Sequence, residues 1–248
     1  MALPEQQLRT LHLFAGAGGG ILGDLILGHT PVCAVEINTY ARAVLLARQQ
    51  DGTFPPFPIW DDVRTFDGTP WCGSVDVVEG GFPCQDVSTA GRGAGLAGDR
   101  SGLWFEMLRV IGEVRPRYVW AENSPLLRTR GLGTILEGLT TLGYNCRWGV
   151  VGAWHTGAPH LRKRLWLLAY PRVVDNPVRR RHRTPEGEVS ARGNCPIDAS
   201  RWAVEPRMDR VADGLACRTH RLVALGNGQV PQQSALAWSI LTQGLSPR

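Results

Sequence analysis

An apolar run that empties into glycines constrains this chain more than any other feature. Leu8–Phe14 reads as a strand, and Phe14-Ala15-Gly16-Ala17-Gly18-Gly19-Gly20 closes it and opens a helix expected to reach Gly28. Strand, glycine turn and helix in that order commit a chain to a layered α/β fold. Glycines at the turn let the backbone approach a ligand closely. The dinucleotide fingerprint GxGxxG would need glycine at position 21, and Ile21 stands there, so a nicotinamide or flavin role is a minor reading. A tight structural turn with no ligand would look the same.

The alternation continues. Pro31–Val35 reads as a strand ending at Glu36, and Asn38 can cap a helix through about Gln50. Ile59–Val63 looks like a short strand end and Val75–Val78 like a buried strand. Ser101–Val114 has apolar residues at helical spacing. Arg117–Ala121 is a further strand, Gly131–Leu142 a helix, and Tyr144–Ala153 and Arg162–Tyr170 two more strands. Pro231–Leu241 reads as a last helix with proline in its first turn. Such repetition gives a mostly parallel sheet with helices on both faces. Ligands bind such sheets at the carboxyl ends of the strands, where the glycine and polar clusters fall here.

Those ends carry the chemistry. Glu36 lies roughly 20 residues after the glycines, where an acidic side chain can bind two ribose hydroxyls. Asp61-Asp62 could accept from an adenine amino group. This fits an adenosyl ligand without a pyrophosphate. Gly80-Gly81-Phe82-Pro83-Cys84-Gln85-Asp86 is a tight loop with a cysteine at its tip. A thiol so placed can serve as a nucleophile. The ordinary alternative is a small buried hydrophobe, and the other five cysteines, at 33, 72, 146, 195 and 217, fit that alternative. Glu122-Asn123 ends the next strand, so its carboxylate can act as an acid in the same cleft, or simply cap a helix. Arg162 and Arg164, two apart at the start of a strand, would share one face. They could bind a base and its phosphate, or merely be solvated.

Charge and composition narrow the partners. Between His160 and Arg221 lie 14 Lys and Arg against 7 Asp and Glu, a net +7, whereas the whole chain carries only +5. Lys163 is the sole lysine, so nearly all positive charge is guanidinium. This segregation suggests an anionic polymer meeting one part of the molecule. No run approaches the roughly 20 apolar residues of a membrane span. The first ten residues do not read as a secretion signal, and no CxxC pair is present. A cytoplasmic setting and no metal are expected.

Taken together, these residues resemble the cytosine-5 DNA methyltransferase family. The motifs come in its order: Phe14–Gly20, Glu36-Ile37-Asn38, Asp62-Val63, Gly81-Phe82-Pro83-Cys84-Gln85, Glu122-Asn123, Arg162-x-Arg164 and Gly226-Asn227-Gly228-Gln229-Val230-Pro231. Gln85–Gly102 looks like the family's mobile catalytic loop. Three positions depart: His12 where an acid is frequent, Ser124 for valine, and His160 for glutamine.

The resemblance implies an α/β, Rossmann-like, doubly wound sheet of the S-adenosylmethionine-dependent methyltransferase fold. It also implies a small, loop-rich target-recognition lobe. Residues 1–170 would form the catalytic domain and 171–225 the lobe, with its variable part near 171–200. Residues 226–248 would return to the first domain. The activity implied is methyl transfer from S-adenosylmethionine to carbon 5 of a cytosine flipped out of duplex DNA. Cys84 would add to carbon 6, and Glu122 would hold and protonate ring nitrogen 3. Arg164 would bind the base carbonyl, with Arg162 assisting. Cofactor contacts carry over to Phe14, Gly16, Ala17, Gly18, Gly19, Glu36, Ile37, Asp62, Pro83, Leu103, Asn227 and Val230. DNA contacts are expected at Gln85, Ser88, Arg100, Arg179, Arg180, Arg181 and Arg183. The partner implied is double-stranded DNA, met by a monomer, and the resemblance allows a cognate restriction endonuclease. Three alternatives share the motifs: a tRNA substrate, a modified form of S-adenosylmethionine, and a non-catalytic nucleic-acid-binding module. The intact Cys84, Glu122 and Arg164 speak against the last.

Overall fold

The structure is a computed structural model that describes residues 7–83, 102–172, 224 and 226–245. Seven strands form one sheet: β1 (Arg9–Leu13), β2 (Thr30–Val35), β3 (Ile59–Trp60), β4 (Val77–Gly80), β5 (Tyr118–Asn123), β6 (Tyr144–Val151) and β7 (Arg164–Pro171). Their spatial order is β3-β2-β1-β4-β5-β7-β6. The first five are mutually parallel, and β7 runs antiparallel to both its neighbours. The chain direction reverses to either side of β1, which opens a crevice at the carboxyl ends of β1 and β4. A mixed α/β fold with a mostly parallel sheet is therefore as expected. The antiparallel β7 is what the sequence did not announce.

Two faces of the sheet bury different things. Leu11, Leu13, Val78, Val119 and Ala121 face α3 (Gly102–Val114) and α4 (Leu132–Thr141), meeting Met107, Val110, Ile111, Ile135 and Leu139 in one apolar cluster. The alternate residues face the other way. Val77, Trp120, Trp166 and Leu168 pack against Ala237 and Trp238 of α5 (Pro231–Leu241). Trp120 stacks on Trp166 with ring centroids 5.1 Å apart, and its indole N–H donates to Ser234 Oγ at 3.0 Å. Thus the chain's last helix closes the face that β5 and β7 would otherwise expose. Alongside it lies α1 (Gly19–Leu27). On this same face the strands switch from apolar to polar near their carboxyl ends: Thr10 and His12 on β1, Glu79 on β4, Glu122 on β5.

Local signals explain the element ends. α2 (Thr39–Gln50) starts where Asn38 Oδ1 accepts from the Ala41 amide at 3.0 Å. Pro231 occupies the first turn of α5, where its missing N–H costs nothing. β1 stops at Leu13 because Phe14 turns left-handed, at φ 54°. The third strand is only Ile59–Trp60, shorter than the Ile59–Val63 pattern. β6 ends at Val151, since Ala153–Thr156 winds into a 3₁₀ turn.

Candidate active site

The glycine turn is built for close approach. Gly18 caps α1 at φ 91°, a region that disfavours any side chain, and a Cβ there would press into the Phe54 ring at 2.7 Å. At Gly19 a Cβ would sit 2.3 Å from the Gln229 carbonyl oxygen. The first motif and the last therefore meet backbone to backbone. Between them lies a cleft with about 360 Å³ of empty space, including the open solvent at its mouth. Phe14 and Gly16 form one wall and Asn227 to Gln229 another. Glu79, Gly81 and Glu122 form the floor.

Glu36 is 8% exposed, and its carboxylate organises the turn. One oxygen accepts from the Gly16 amide and the other from the Asn38 amide, each at 2.7 Å. A carboxylate offers about four lone-pair directions, so both oxygens keep capacity for a ligand's hydroxyls. Ile37 beside it is 63% exposed, an apolar side chain standing in solvent at the rim. Asp62 is gripped by its neighbour: Arg64 donates from its backbone amide, Nε and Nη2. Hydrogen bonds from the Arg64 side chain, then its amide, hold the Asp62 carboxyl below its ordinary value.

At the far end of the cleft, Glu122 is 9% exposed. Arg164 donates its Nε–H to Glu122 Oε1 at 2.8 Å. Burial raises the Glu122 carboxyl above its ordinary value, and the charges of Arg164 and Arg162 only partly offset it. A group so held can carry a proton and remain oriented. A Cβ on Gly81 would lie 3.0 Å from Glu122 Oε2, so the strand end leading to Cys84 passes directly beside this carboxyl. Asn123 ties the two together, its Nδ2 donating to the Phe82 carbonyl at 2.9 Å. Pro83, the next residue, is exposed. Cys84, Gln85, Ser88, Arg100, Arg179, Arg180, Arg181 and Arg183 lie outside the described residues, as does nearly all of the expected recognition lobe.

Arg162 corrects the sequence reading. It does not share a strand face with Arg164, because β7 begins only at Arg164 and Arg162 takes a left-handed φ of 21°. Its guanidinium turns away to the last motif, donating Nη2 to the carbonyls of Gly226, at 2.8 Å, and Gly228. Its backbone carbonyl accepts from Gln233 Nε2 of α5 at 2.9 Å. Arg162 therefore fastens the returning segment that carries Asn227. Val230 caps α5, and Leu103 lies half-buried against the core. Ala17 lies half-buried in the glycine turn. Burial pushes the Cys33 and Cys146 thiols up to about 12, which makes them poor nucleophiles. Cys72 is exposed rather than buried, against expectation.

Sequence reasoning missed the polar group beneath the turn. His12 Nε2 lies 2.9 Å from Asp24 Oδ2 and 3.1 Å from Thr10 Oγ1, and His29 Nδ1 lies 3.3 Å from Asp24 Oδ1. Burial alone would raise the Asp24 carboxyl. The charge of His12 and hydrogen bonds from His12, His29 and Thr10 outweigh it and hold Asp24 well below the usual range. Glu79 is 2% exposed and follows His12 across the β1–β4 ladder. Burial first, then the charges of Asp24 and Glu122, push its carboxyl well above the ordinary value. His12, Asp24 and Glu79 bring ligand-type atoms within 4.8 Å of one another. Asp24 is already engaged by two imidazoles, so the group reads as a hydrogen-bonded network rather than an ion cage. The available signal was the carboxylate of Glu79 directly after the apolar pair Val77-Val78.

Comparison with known proteins now decides the family. Residues 8–191 match the C-5 cytosine-specific DNA methylase family. The chain belongs to that family. The Type II methyltransferase M.CviJI of Paramecium bursaria Chlorella virus IL3A is 34% identical over 165 residues, covering 65% of this chain and 42% of that protein. M.Eco47II of Escherichia coli is 36% identical over 168 residues, covering 64% and 38%. The chain thus spans about two-fifths of the length of these relatives. Among solved structures, a Spodoptera frugiperda DNMT2 mutant superposes with a TM-score of 0.57 at 18% identity, covering 73% of this chain and 54% of that one. Schizosaccharomyces pombe Dnmt2 gives 0.55 at 22%, covering 68% and 53%. These two likenesses show the fold alone, the doubly wound α/β sheet expected from the sequence.

Proposed function

We propose that the chain is a DNA (cytosine-5)-methyltransferase that uses S-adenosylmethionine. One observation carries the reading: a buried Glu122, its carboxyl raised above the ordinary value by burial and fixed by Arg164, lies beside the strand end that leads into Cys84. Carbon 5 of cytosine is too weak a nucleophile to take a methyl group unaided. The Cys84 thiolate adds to carbon 6, and Glu122 protonates ring nitrogen 3 as that bond forms. Arg164 keeps Glu122 oriented and meets the base carbonyl. Carbon 5, now enamine-like, can then take the methyl; nitrogen 3 returns its proton to Glu122, and loss of the carbon 5 proton and of Cys84 restores the ring. The target base has to leave the helix for any of this, so it is flipped into the cleft.

The cleft fits the cofactor on its own evidence. Gly18 and Gly19 leave no room for side chains. Among the described residues, Glu79 Oε1 and Oε2 and Gln229 Oε1 are buried acceptors without a donor. Glu36 would take the ribose hydroxyls, Ile37 would pack on the adenine, and Asp62 would accept from its amino group. S-Adenosylmethionine supplies the electrophilic methyl and leaves as S-adenosylhomocysteine. The arginine-rich residues 171–200 would supply the contacts to duplex DNA. Among the described residues no helix is long and apolar enough to cross a membrane.

Cys84→Ser tests the mechanism. Turnover should vanish while S-adenosylmethionine binding stays near wild type. Duplex DNA with 5-fluorocytosine should trap a covalent adduct on Cys84. Nucleoside mass spectrometry after incubation with DNA and with tRNA identifies the substrate. Methylation by the serine variant well above background would refute the covalent route, and 5-methylcytosine in tRNA alone would refute the DNA assignment.

A further inference from the structure

Among the described residues, three carboxyl groups cross the helix-covered face beneath the cleft, and only two have a counter-charge there. Asp24, on α1, is met by His12 and His29. Glu122, on β5, is met by Arg164 of β7. Glu79, on β4 between them, has no cation within hydrogen-bonding reach among the described residues. Its nearest basic group is His12 Nδ1 at 3.9 Å, and that ring already serves Asp24. With every carboxyl ionised, both Glu79 oxygens would be buried without a donor. A proton on Glu79 resolves this, because the acid can then donate to Asp24.

Glu79 also lines the cleft. A Cβ on Gly20 would sit 2.4 Å from Glu79 Oε1 and 2.7 Å from Gln229 Oε1. Only the hydrogens of a glycine therefore stand over two bare acceptor oxygens at the turn proposed to hold the cofactor. That cofactor differs from its product by one positive charge, the sulfonium. Charges interact strongly through a site shielded from water.

We propose that Glu79 is the charge-reading carboxyl of the cofactor cleft: it holds a proton in the free protein, and releases it to solvent when the sulfonium binds. The balance is simple. One cation enters the cleft, one O–H bond on Glu79 breaks, one proton leaves, and the net charge of the buried region is unchanged. The thioether product carries no sulfonium, so Glu79 takes its proton back and the product is held less tightly. Glu79 does not touch the reacting atoms. It positions charge, and it lets the site prefer substrate over product. The inference rests on the cleft binding S-adenosylmethionine.

Titration calorimetry of the full chain tests it, with S-adenosylmethionine and S-adenosylhomocysteine as ligands, in buffers of differing ionisation enthalpy. Wild type should release a proton on binding the sulfonium and little on binding the thioether. Its affinity for the sulfonium should then rise with pH, by at most about tenfold per unit. Glu79→Gln should lose both the release and the slope, and its preference for substrate over product should drop about tenfold. Glu122→Gln should keep the release, which separates the two acids. Should Glu79→Gln fail to fold, infrared difference spectra of the Glu122→Gln variant give the same answer. A protonated-carboxyl band should vanish on adding the sulfonium and persist with the thioether. Unchanged release in Glu79→Gln, or a band indifferent to the sulfonium, would overturn the inference alone. Failure of wild type to bind S-adenosylmethionine at any pH would overturn the functional proposal as well.

Discussion

Replacing Glu36 with alanine should damage the fold before it damages ligand binding. Its carboxylate accepts two short hydrogen bonds, from Gly16 and Asn38, in a setting that leaves it 8% exposed. Hydrogen bonds to a charged acceptor contribute about 1.5–3 kcal/mol each. Water from the cleft can reach the Gly16 side, so the lower end applies, and the pair sums to about 3 kcal/mol. In a chain of this size, 1 kcal/mol moves the melting temperature by about 2–4 °C, which predicts a loss of about 6–12 °C. Glu36→Gln should lose more than half of that, since its amide NH₂ must face one of two backbone donors. Thermal unfolding followed by circular dichroism, without cofactor, measures this directly. Calorimetry should then show weaker S-adenosylmethionine binding in both variants. A Glu36→Ala protein melting within about 2 °C of wild type would show that the turn holds its shape without the carboxylate, and the reasoning would fail.

Glu122→Gln should bind cofactor and DNA but lower the single-turnover rate by roughly 10²–10⁴-fold, the range for a positioned general acid. Because burial raises the Glu122 carboxyl, the wild-type rate should fall as pH rises through that raised value, and a flat alkaline limb would argue against the acid role. Arg162→Ala should loosen Gly226–Gly228 and weaken cofactor affinity while sparing the rate at saturating cofactor; the opposite pattern would place Arg162 on the base. Changing Arg179, Arg180 and Arg181 to alanine should weaken DNA binding across sequences and flatten its salt dependence, measured by fluorescence anisotropy. So short an interval, 171–200, offers few base-reading side chains, so bisulfite sequencing should find a short or degenerate target. A strictly read site of six or more base pairs would contradict that.

Strand–helix alternation made most of the sheet legible, because period-two burial and capping residues such as Asn38 act locally. What local pattern could not reveal was where β7 lies. Nothing in Arg164–Pro171 states that it inserts antiparallel between β5 and β6. The Arg162 reading failed for a related reason. An alternation argument needs a strand, and the strand starts two residues late. Glu122 was legible as a carboxylate at a strand end. Its partner Arg164 became certain only through the register, which sets Asn123 opposite Leu165. Glu79 stayed hidden because its role depends on Asp24, 55 positions earlier, reaching it from α1.

The reversed strand also divides the chain by its tolerance of length changes. Since β7 begins where β5 ends, Glu122 and Arg164 are joined by a ladder, not by the intervening chain. Residues could be added within Gly152–Lys163, or at the turn between α4 and β6, without moving either group. One residue inserted inside β5 or β7 would instead send one of the two side chains to the opposite face. Length should therefore drift in the connections away from the Arg162 clasp and stay fixed to the residue in these two strands. A scan of single-residue insertions, read out by folding and by methylation, would draw that boundary.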